Sequence, residues 1–352
     1  MTNVLIIGAG SIGNHLAYAC RNKEWQVDVV DIDKKALARM KAEIYPARYG
    51  SWDEAISLYG AIPDGGSWDI VIIGTPPDTH TSVAIDLLEK HSPKVLLIEK
   101  PLTTPSMLNQ DELTNILNKS ETKGLVGFNH NVTDNTKFIE KLVAEKVVGK
   151  PATLEVKWLE DWSGIFKAHP WLDGPADSYL GFLSRGGGAC CEHSHAIALW
   201  VHLSRLLDLG SVVEVEGQMK MINTEGLYYD EETSIQVKTE KGILGSIKQD
   251  VKTMPAIKMA RIEGDEGYIE WFANFEDGRD LVKWSSKGGV EQSKIFPKSR
   301  PDDFKNEINL LEEIMHAEND YRSPIDYEIG LQVAIITNKA IASSKAKKVV
   351  TM

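Results

Sequence analysis

One stretch near the start of this 352-residue chain restricts its fold more than any other: Val4-Leu5-Ile6-Ile7-Gly8-Ala9-Gly10-Ser11-Ile12-Gly13. Four apolar β-formers run straight into GxGxxG, and a helical pattern from His15 to Arg21 follows. Strand, tight turn and helix in this order open a βαβ unit. Gly8 permits the turn, Gly10 lets the backbone approach a pyrophosphate, and Gly13 lets helix and strand pack closely. The amides at the start of the helix, around Ser11 and Ile12, face the anion. The second strand ends at Asp31, where a carboxylate can accept hydrogen bonds from adenosine ribose hydroxyls. That carboxylate would repel a 2'-phosphate, and no arginine follows directly, so NAD is expected over NADP; Lys34 and Lys35 keep NADP open.

The same texture continues through the first third of the chain. Val27 to Val30, Ile70 to Ile73, Val95 to Ile98 and Leu125 to Phe128 are further short apolar runs between helical patterns. Strands apolar throughout are buried on both faces, so the expected fold class is α/β, with a doubly wound parallel sheet over residues 1–128. From residue 129 to 352 a second, α+β domain is expected. A helix around Phe138 to Val143 precedes a loop-rich stretch from Trp158 to Gly188. Alternating segments at Ser211 to Ile222, Thr233 to Val237, Ile243 to Lys252 and Ala260 to Trp271 then predict a largely antiparallel, open-faced sheet. Two helical patterns, about Asp303 to His316 and Asp326 to Ser344, close the chain.

Charge and composition narrow the function classes. Lys plus Arg total 39 against 51 Asp plus Glu, a net charge of -12, which repels a polyphosphate backbone, so nucleic acid is not an expected partner. No apolar run approaches a membrane span, and Val4 to Ile7 is too short for a signal-peptide core. Three cysteines, Cys20, Cys190 and Cys191, do not make a disulfide framework. A cytoplasmic location and no membrane association are expected.

Two later strand ends hold candidate chemistry. Gly74-Thr75-Pro76-Pro77-Asp78-Thr79-His80 lies at the carboxyl edge of the sheet, where open α/β folds bind ligands. The proline pair shapes a rigid wall beside a flat ring, and His80 is read first as a helix-start residue. Glu99-Lys100-Pro101 ends the next strand. In the second domain, Arg185-Gly186-Gly187-Gly188-Ala189-Cys190-Cys191-Glu192-His193-Ser194-His195 enters a helix on which Glu192 and His195, three apart, are expected to share a face. A carboxylate beside an imidazole suits removal of a hydroxyl proton. Cys191, Glu192, His193 and His195 cannot all converge on a metal from adjacent helical positions, so no metal is expected.

Taken in order, these motifs resemble the Gfo/Idh/MocA oxidoreductases, named for glucose-fructose oxidoreductase and inositol dehydrogenase. The resemblance covers nearly the whole chain: GxGxxG, the acid after the second strand, a TPP-type turn with a downstream His, Glu-Lys-Pro, the Val126-Gly127-Phe128-Asn129 junction, and GGG leading into an acid and a His. It implies Lys100 at the reacting hydroxyl and the nicotinamide ribose, His195 as general base, and Glu192 as its partner. Gly8, Gly10, Ser11, Ile12, Gly13, Asp31, Thr75, Pro76, Pro77, His80, Glu99 and Lys100 would then hold the cofactor. The spacing of acid and His departs from the four-residue interval of many members, and Asn129, His130 and Asn131 stand where many relatives have a basic residue.

Between Trp158 and Trp171, aromatic faces interleave with hydrogen-bonding groups, a pattern suited to sugar rings. Trp162, His169, Tyr179, Arg185 and His193, with Lys100, Asn129 and His195, are the candidate substrate residues. The expected function is hydride transfer between nicotinamide and a secondary alcohol or ketone of a sugar, sugar derivative or sugar nucleotide. An NAD-dependent glycosidase acting through transient oxidation and a non-catalytic sensor on the same fold are the alternatives. A homo-oligomer through the second sheet is expected by resemblance.

Overall fold

The computed structural model describes residues 2–224, 226–318 and 321–352. It divides into two compact units, each made of more than one stretch of chain. The first comprises Met1–Thr103, Leu108–Asn129 and Arg300–Tyr327, the second Thr104–Met107, His130–Ser299 and Glu328–Met352. A simple division at residue 128 therefore misses the return of residues 300–327 to the first unit.

The first unit is built on β1 (Asn3–Ile7), β2 (Gln26–Val30), β3 (Ile56–Tyr59), β4 (Ile70–Ile73), β5 (Val95–Ile98) and β6 (Lys123–Val126), ordered β3-β2-β1-β4-β5-β6 and parallel throughout. Strands β4 and β5 are buried at every position, which is why they read as unbroken apolar runs. Edge strand β3, with Ile56 buried and Tyr59 exposed, lacks that signature and was not legible. The last strand ends at Val126, earlier than the expected Phe128. Helices α1 (Ser11–Arg21), α2 (Lys34–Arg39), α3 (Tyr45–Tyr49), α4 (His80–Leu88) and α5 (Gln110–Lys119) connect the strands, a π-helical turn at Met40–Ile44 joining α2 to α3.

The second unit begins with α6 (Asp134–Ala144), β7 (Pro151–Leu159), α7 (Ser163–Ala168), the single turn α8 (Ala189–Glu192) and α9 (His195–Leu206). Strands β8 (Val212–Thr224), β9 (Leu227–Thr239), β10 (Leu244–Asp250), β11 (Ile257–Gly264), β12 (Gly267–Phe272), β13 (Asp280–Ser286) and β14 (Gln292–Phe296) follow. Helix α10 (Arg300–His316) belongs to the first unit; α11 (Tyr327–Ala346) and β15 (Val350–Thr351) end the chain. The nine strands order as β14-β13-β12-β11-β7-β10-β9-β8-β15, antiparallel except where β7 meets β10. The sheet is thus largely antiparallel, as expected. Trp158 sits in its central strand, not in a loop; in β7 buried Leu154, Val156 and Trp158 alternate with half-buried Glu155 and Lys157, the same period-two pattern as its neighbours.

Helix α10 packs on α1 and β5 through Phe304, Ile308 and Leu311, which are at most 3% exposed. It also buries a carboxyl. Glu307 is 0% exposed, and neither of its oxygens has a hydrogen-bond partner among the described residues. Burial, followed by the negative charges of Glu99 and Asp303, pushes its pKa well above the ordinary glutamate range. The folded chain therefore holds this proton more tightly than the unfolded one. Stability is fully present below the ordinary glutamate pKa and declines as pH rises above it. Glu307→Gln should flatten that decline and raise the melting temperature by about 2–4 °C at about pH 8. Thermal melts across the pH range, for both proteins, measure this; parallel curves would contradict it.

Candidate functional site

In the first unit the glycine turn is wedged between two strands. The Gly8 amide donates to the Val30 carbonyl at 2.8 Å. A Cβ added at Gly8 would lie 2.6 Å from the Gly74 carbonyl oxygen, and one at Gly13 would lie 2.1 Å from the Gly8 carbonyl oxygen. Both glycines are thus demanded by the chain's own packing. Gly10 differs: its φ of -75° suits any residue, and an added Cβ would meet no protein atom within 4 Å. Its missing side chain leaves room for a ligand, in the position where a dinucleotide pyrophosphate meets the head of α1, so the turn fits such a group.

Asp31 is bound to this turn directly. Its Oδ2 accepts the Ala9 amide at 2.8 Å and its Oδ1 the Asp33 amide at 2.8 Å. Lys34 and Lys35 are exposed at the start of α2, which Asp33 caps.

The two turns at the ends of β4 and β5 are joined by His80. It is 0% exposed, with Nε2 2.7 Å from the Thr75 carbonyl oxygen and Nδ1 2.9 Å from that of Pro101. Burial lowers its pKa, against the raising effect of the two carbonyls. His80 is thus the first residue of α4, as read, and also a strut across both turns. Thr75 is half-buried and receives the Thr79 hydroxyl at 2.8 Å; Pro76 is exposed and Pro77 buried. Glu99 is buried, Lys100 half-buried. Asn129, at the end of this segment, is half-buried with Oδ1 lacking a partner among the described residues.

The second unit holds the other candidates around α8. Gly188 caps this turn with φ at +84°, and a Cβ there would fall 2.0 Å from Asp230 Oδ1. Asp230, on β9 and 0% exposed, accepts the Cys190 amide through Oδ2 at 2.8 Å and the Thr233 hydroxyl. Burial pushes its carboxyl up to about 6, opposed by these hydrogen bonds. At the other end, buried Gln249 donates to the carbonyls of Ala189, Cys190 and His193 at 3.3, 3.3 and 2.8 Å. Strand side chains therefore satisfy both ends of a four-residue helix.

This capping corrects one expectation. The helix does not run through Glu192 and His195; it stops at His193, with φ -91° and ψ 28°, and α9 starts afresh at His195. Helical three-residue spacing consequently does not describe the pair. Glu192 accepts the Tyr179 hydroxyl at 2.7 Å, and His193 Nε2 lies 3.3 Å from the Glu160 carbonyl oxygen. The His195 ring stacks on Trp158 with centroids 5.4 Å apart and planes at 24°. It meets His130 edge-on at 5.0 Å. Lys258 lies over the same Trp158 ring at 5.1 Å and pairs with Glu160 at 2.8 Å, although it is only 8% exposed.

Trp162 is buried in an apolar cluster with Leu180, Ala189 and Val251, its indole N–H without a partner among the described residues. Tyr179 packs on that cluster. His169 places Nδ1 2.7 Å from the Ile165 carbonyl oxygen, and Arg185 is half-buried in the turn before the glycines. Asp230, Gln249, His130 and Lys258 were missed by sequence reasoning. Only the inward register of Lys258, directly opposite Trp158, could have signalled one of them. Among the described residues, no group of three or more His, Cys, Asp or Glu is arranged to hold a metal, and no helix is long and apolar enough to cross a membrane.

Residues 2–128 match the family model of the Gfo/Idh/MocA oxidoreductases, an oxidoreductase family with an NAD-binding Rossmann fold. No curated protein matches the sequence. Among solved structures, a levoglucosan dehydrogenase in complex with NADH superposes with a TM-score of 0.77 at 20% identity, covering 99% of this chain and 98% of that one. The WlbA dehydrogenase from Chromobacterium violaceum, in complex with NADH and UDP-GlcNAcA, gives 0.73 at 17%, covering 100% and 96%. An oxidoreductase domain protein from Kribbella flavida gives 0.78 at 18%, covering 100% and 99%. The shared fold thus spans both units.

The two classes of glycine separate in a mutational test. Gly188→Ala should cost about 2–4 kcal/mol in urea denaturation, from positive φ and the collision with Asp230. Gly10→Ala should leave the stability of the free protein within about 0.5 kcal/mol while weakening NADH binding about tenfold or more. Equal stability losses in the two variants would remove the distinction.

Proposed function

We propose that this chain, whose residues 2–128 match the model of the Gfo/Idh/MocA oxidoreductases with their NAD-binding Rossmann fold, transfers a hydride between NAD and a secondary alcohol or ketone of a sugar, sugar derivative or sugar nucleotide. The observation that carries the reading is the glycine turn: its packing against β4, its open Gly10 and its tie to Asp31 suit a bound dinucleotide. Gly8, Gly10, Ser11, Ile12, Gly13 and Asp31 would hold the adenosine half. Thr75, Pro76, Pro77, Glu99 and Lys100 at the neighbouring strand ends would serve the nicotinamide half, with His80 holding their turns. When bound, the nicotinamide supplies the hydride acceptor or donor.

The remaining chemistry falls to side chains. Lys100 carries an ammonium suited to polarising a carbonyl and stabilising a developing alkoxide. His195 is the base for the hydroxyl proton during oxidation, its ring orientation set by Trp158 and His130. Glu192, held by Tyr179, is its less direct partner. Trp162, His169, Tyr179, Arg185, His193 and Asn129 are the residues proposed to meet the sugar. The ligands named for two structural relatives, levoglucosan and UDP-GlcNAcA, support a carbohydrate-like substrate. A homo-oligomer formed through the second sheet completes the proposal, and light scattering tests it.

Lys100→Ala and His195→Ala should each lower kcat by at least about a thousandfold while NADH affinity stays within about threefold. The assay is nicotinamide absorbance across free sugars, inositols, uronates and nucleotide sugars; undiminished turnover in both variants would sink the assignment. Release of free sugar from a glycoside without net NADH would favour the glycosidase reading instead. Asp31→Ala should weaken NAD more than NADP, and fluorescence titration of the two reduced cofactors gives the comparison.

A further inference from the structure

A second set of side chains converges on the head of α1. Arg48, in α3, places Nη2 2.9 Å from Ser11 Oγ and Nη1 3.1 Å from the Ser11 carbonyl oxygen. Nη1 also lies 3.2 Å from His15 Nε2. A guanidinium has donors only, so Nε2 must be the acceptor. His15 is therefore neutral with its proton on Nδ1, which donates to the Tyr49 hydroxyl. The ring is fixed by packing as well: it is 5% exposed and stacked on Phe304 of α10, centroids 4.6 Å apart and planes at 6°. Phe304 holds His15, and His15 aims Arg48.

The consequence falls on Ser11. Arg48 occupies a lone pair of its hydroxyl, so the O–H itself donates in another direction. Ser11 is the first residue of α1, and its amide is among those no helix carbonyl can satisfy. A helix end offers only partial positive charge, whereas the pyrophosphate of a dinucleotide is a dianion. We infer that Arg48 is a phosphate-recognition residue of the NAD site: it brings a full positive charge to the first turn of α1 and orients the Ser11 hydroxyl as a donor to the pyrophosphate. The inference rests on NAD binding by the first unit. It assigns Arg48 to the pyrophosphate and not to a 2'-phosphate because Arg48 is anchored at Ser11, not at Asp31, the position that reads the adenosine ribose.

Fluorescence titration with NADH and with NADPH tests this on the unaltered chain, Arg48→Met and Arg48→Lys. Arg48→Met should weaken both nucleotides by about tenfold and make NADH binding less sensitive to salt. Arg48→Lys should recover the salt sensitivity but not the full affinity, because it lacks the two-pronged geometry. A change of less than about twofold in Arg48→Met, or a loss confined to NADPH, would overturn the assignment. Should Arg48→Met fail to fold, Ser11→Ala removes the oriented hydroxyl alone: a loss of about threefold for both nucleotides is expected, and no loss refutes the orientation. Failure of the unaltered chain to bind either nucleotide would instead defeat the NAD reading beneath the inference.

Discussion

A close approach of backbone to backbone in the first unit underlies the rest of it. Gly8 runs so near the Gly74 carbonyl, and Gly13 so near Gly8, that neither position admits a single added carbon. This contact locks the end of β1, the end of β4 and the first turn of α1 into one arrangement. Asp31 reinforces it by taking the Ala9 amide. The amides at the head of α1 are consequently aimed before any ligand arrives, and a preorganised site loses little free energy to ordering on binding. Van der Waals exclusion at two glycines thus fixes the amides that the proposed anion would meet.

The second unit reaches order by another route. Its key element is too short to be stable as a helix in isolation, and it persists because Asp230 and Gln249, from neighbouring strands, supply partners at its two ends. Capping from outside sets where the helix stops. It therefore sets the backbone at His193 and the fresh start at His195, whose ring then meets Trp158 and His130. Burial of ionisable groups accompanies this design: Asp230, with its carboxyl pushed up to about 6, and Lys258 beside Glu160 are placed where an unpaired charge would be costly.

Legibility followed locality. The turn from Val4 to Gly13, the four buried strands and the alternating strands β8 to β12 were readable because their signals lie within a few residues of sequence. Edge strand β3 and strand β14 were not, because most of their residues are exposed or half-buried; β13 opens on buried Asp280, and the alternation of Leu154, Val156 and Trp158 with Glu155 and Lys157 in β7 was present in the sequence but passed over. The return of α10 to the first unit was hidden for a different reason: its helical pattern was evident, but nothing local names the partner of an apolar face. The break between Glu192 and His195 was misread likewise, since residues 38 and 57 positions further on, counted from Glu192 to Asp230 and to Gln249, decide it. Arg48 and His15 carried no motif at all; only the fold brings them to Ser11.

His80 also bears on motion. A neutral imidazole carries one N–H, yet this ring is enclosed by two carbonyl acceptors and has no exposed surface. Only one of the two can accept that N–H, so the ring bonds one turn and packs against the other, and withdrawing the bonded carbonyl would strand a polar atom that water does not reach. The loop after β4 and the loop that bears Lys100 are accordingly a single mechanical part. A ligand that shifts the backbone at Pro101 therefore presses on the ring that also meets the Thr75 carbonyl, which couples the turns of two neighbouring strands, β4 and β5.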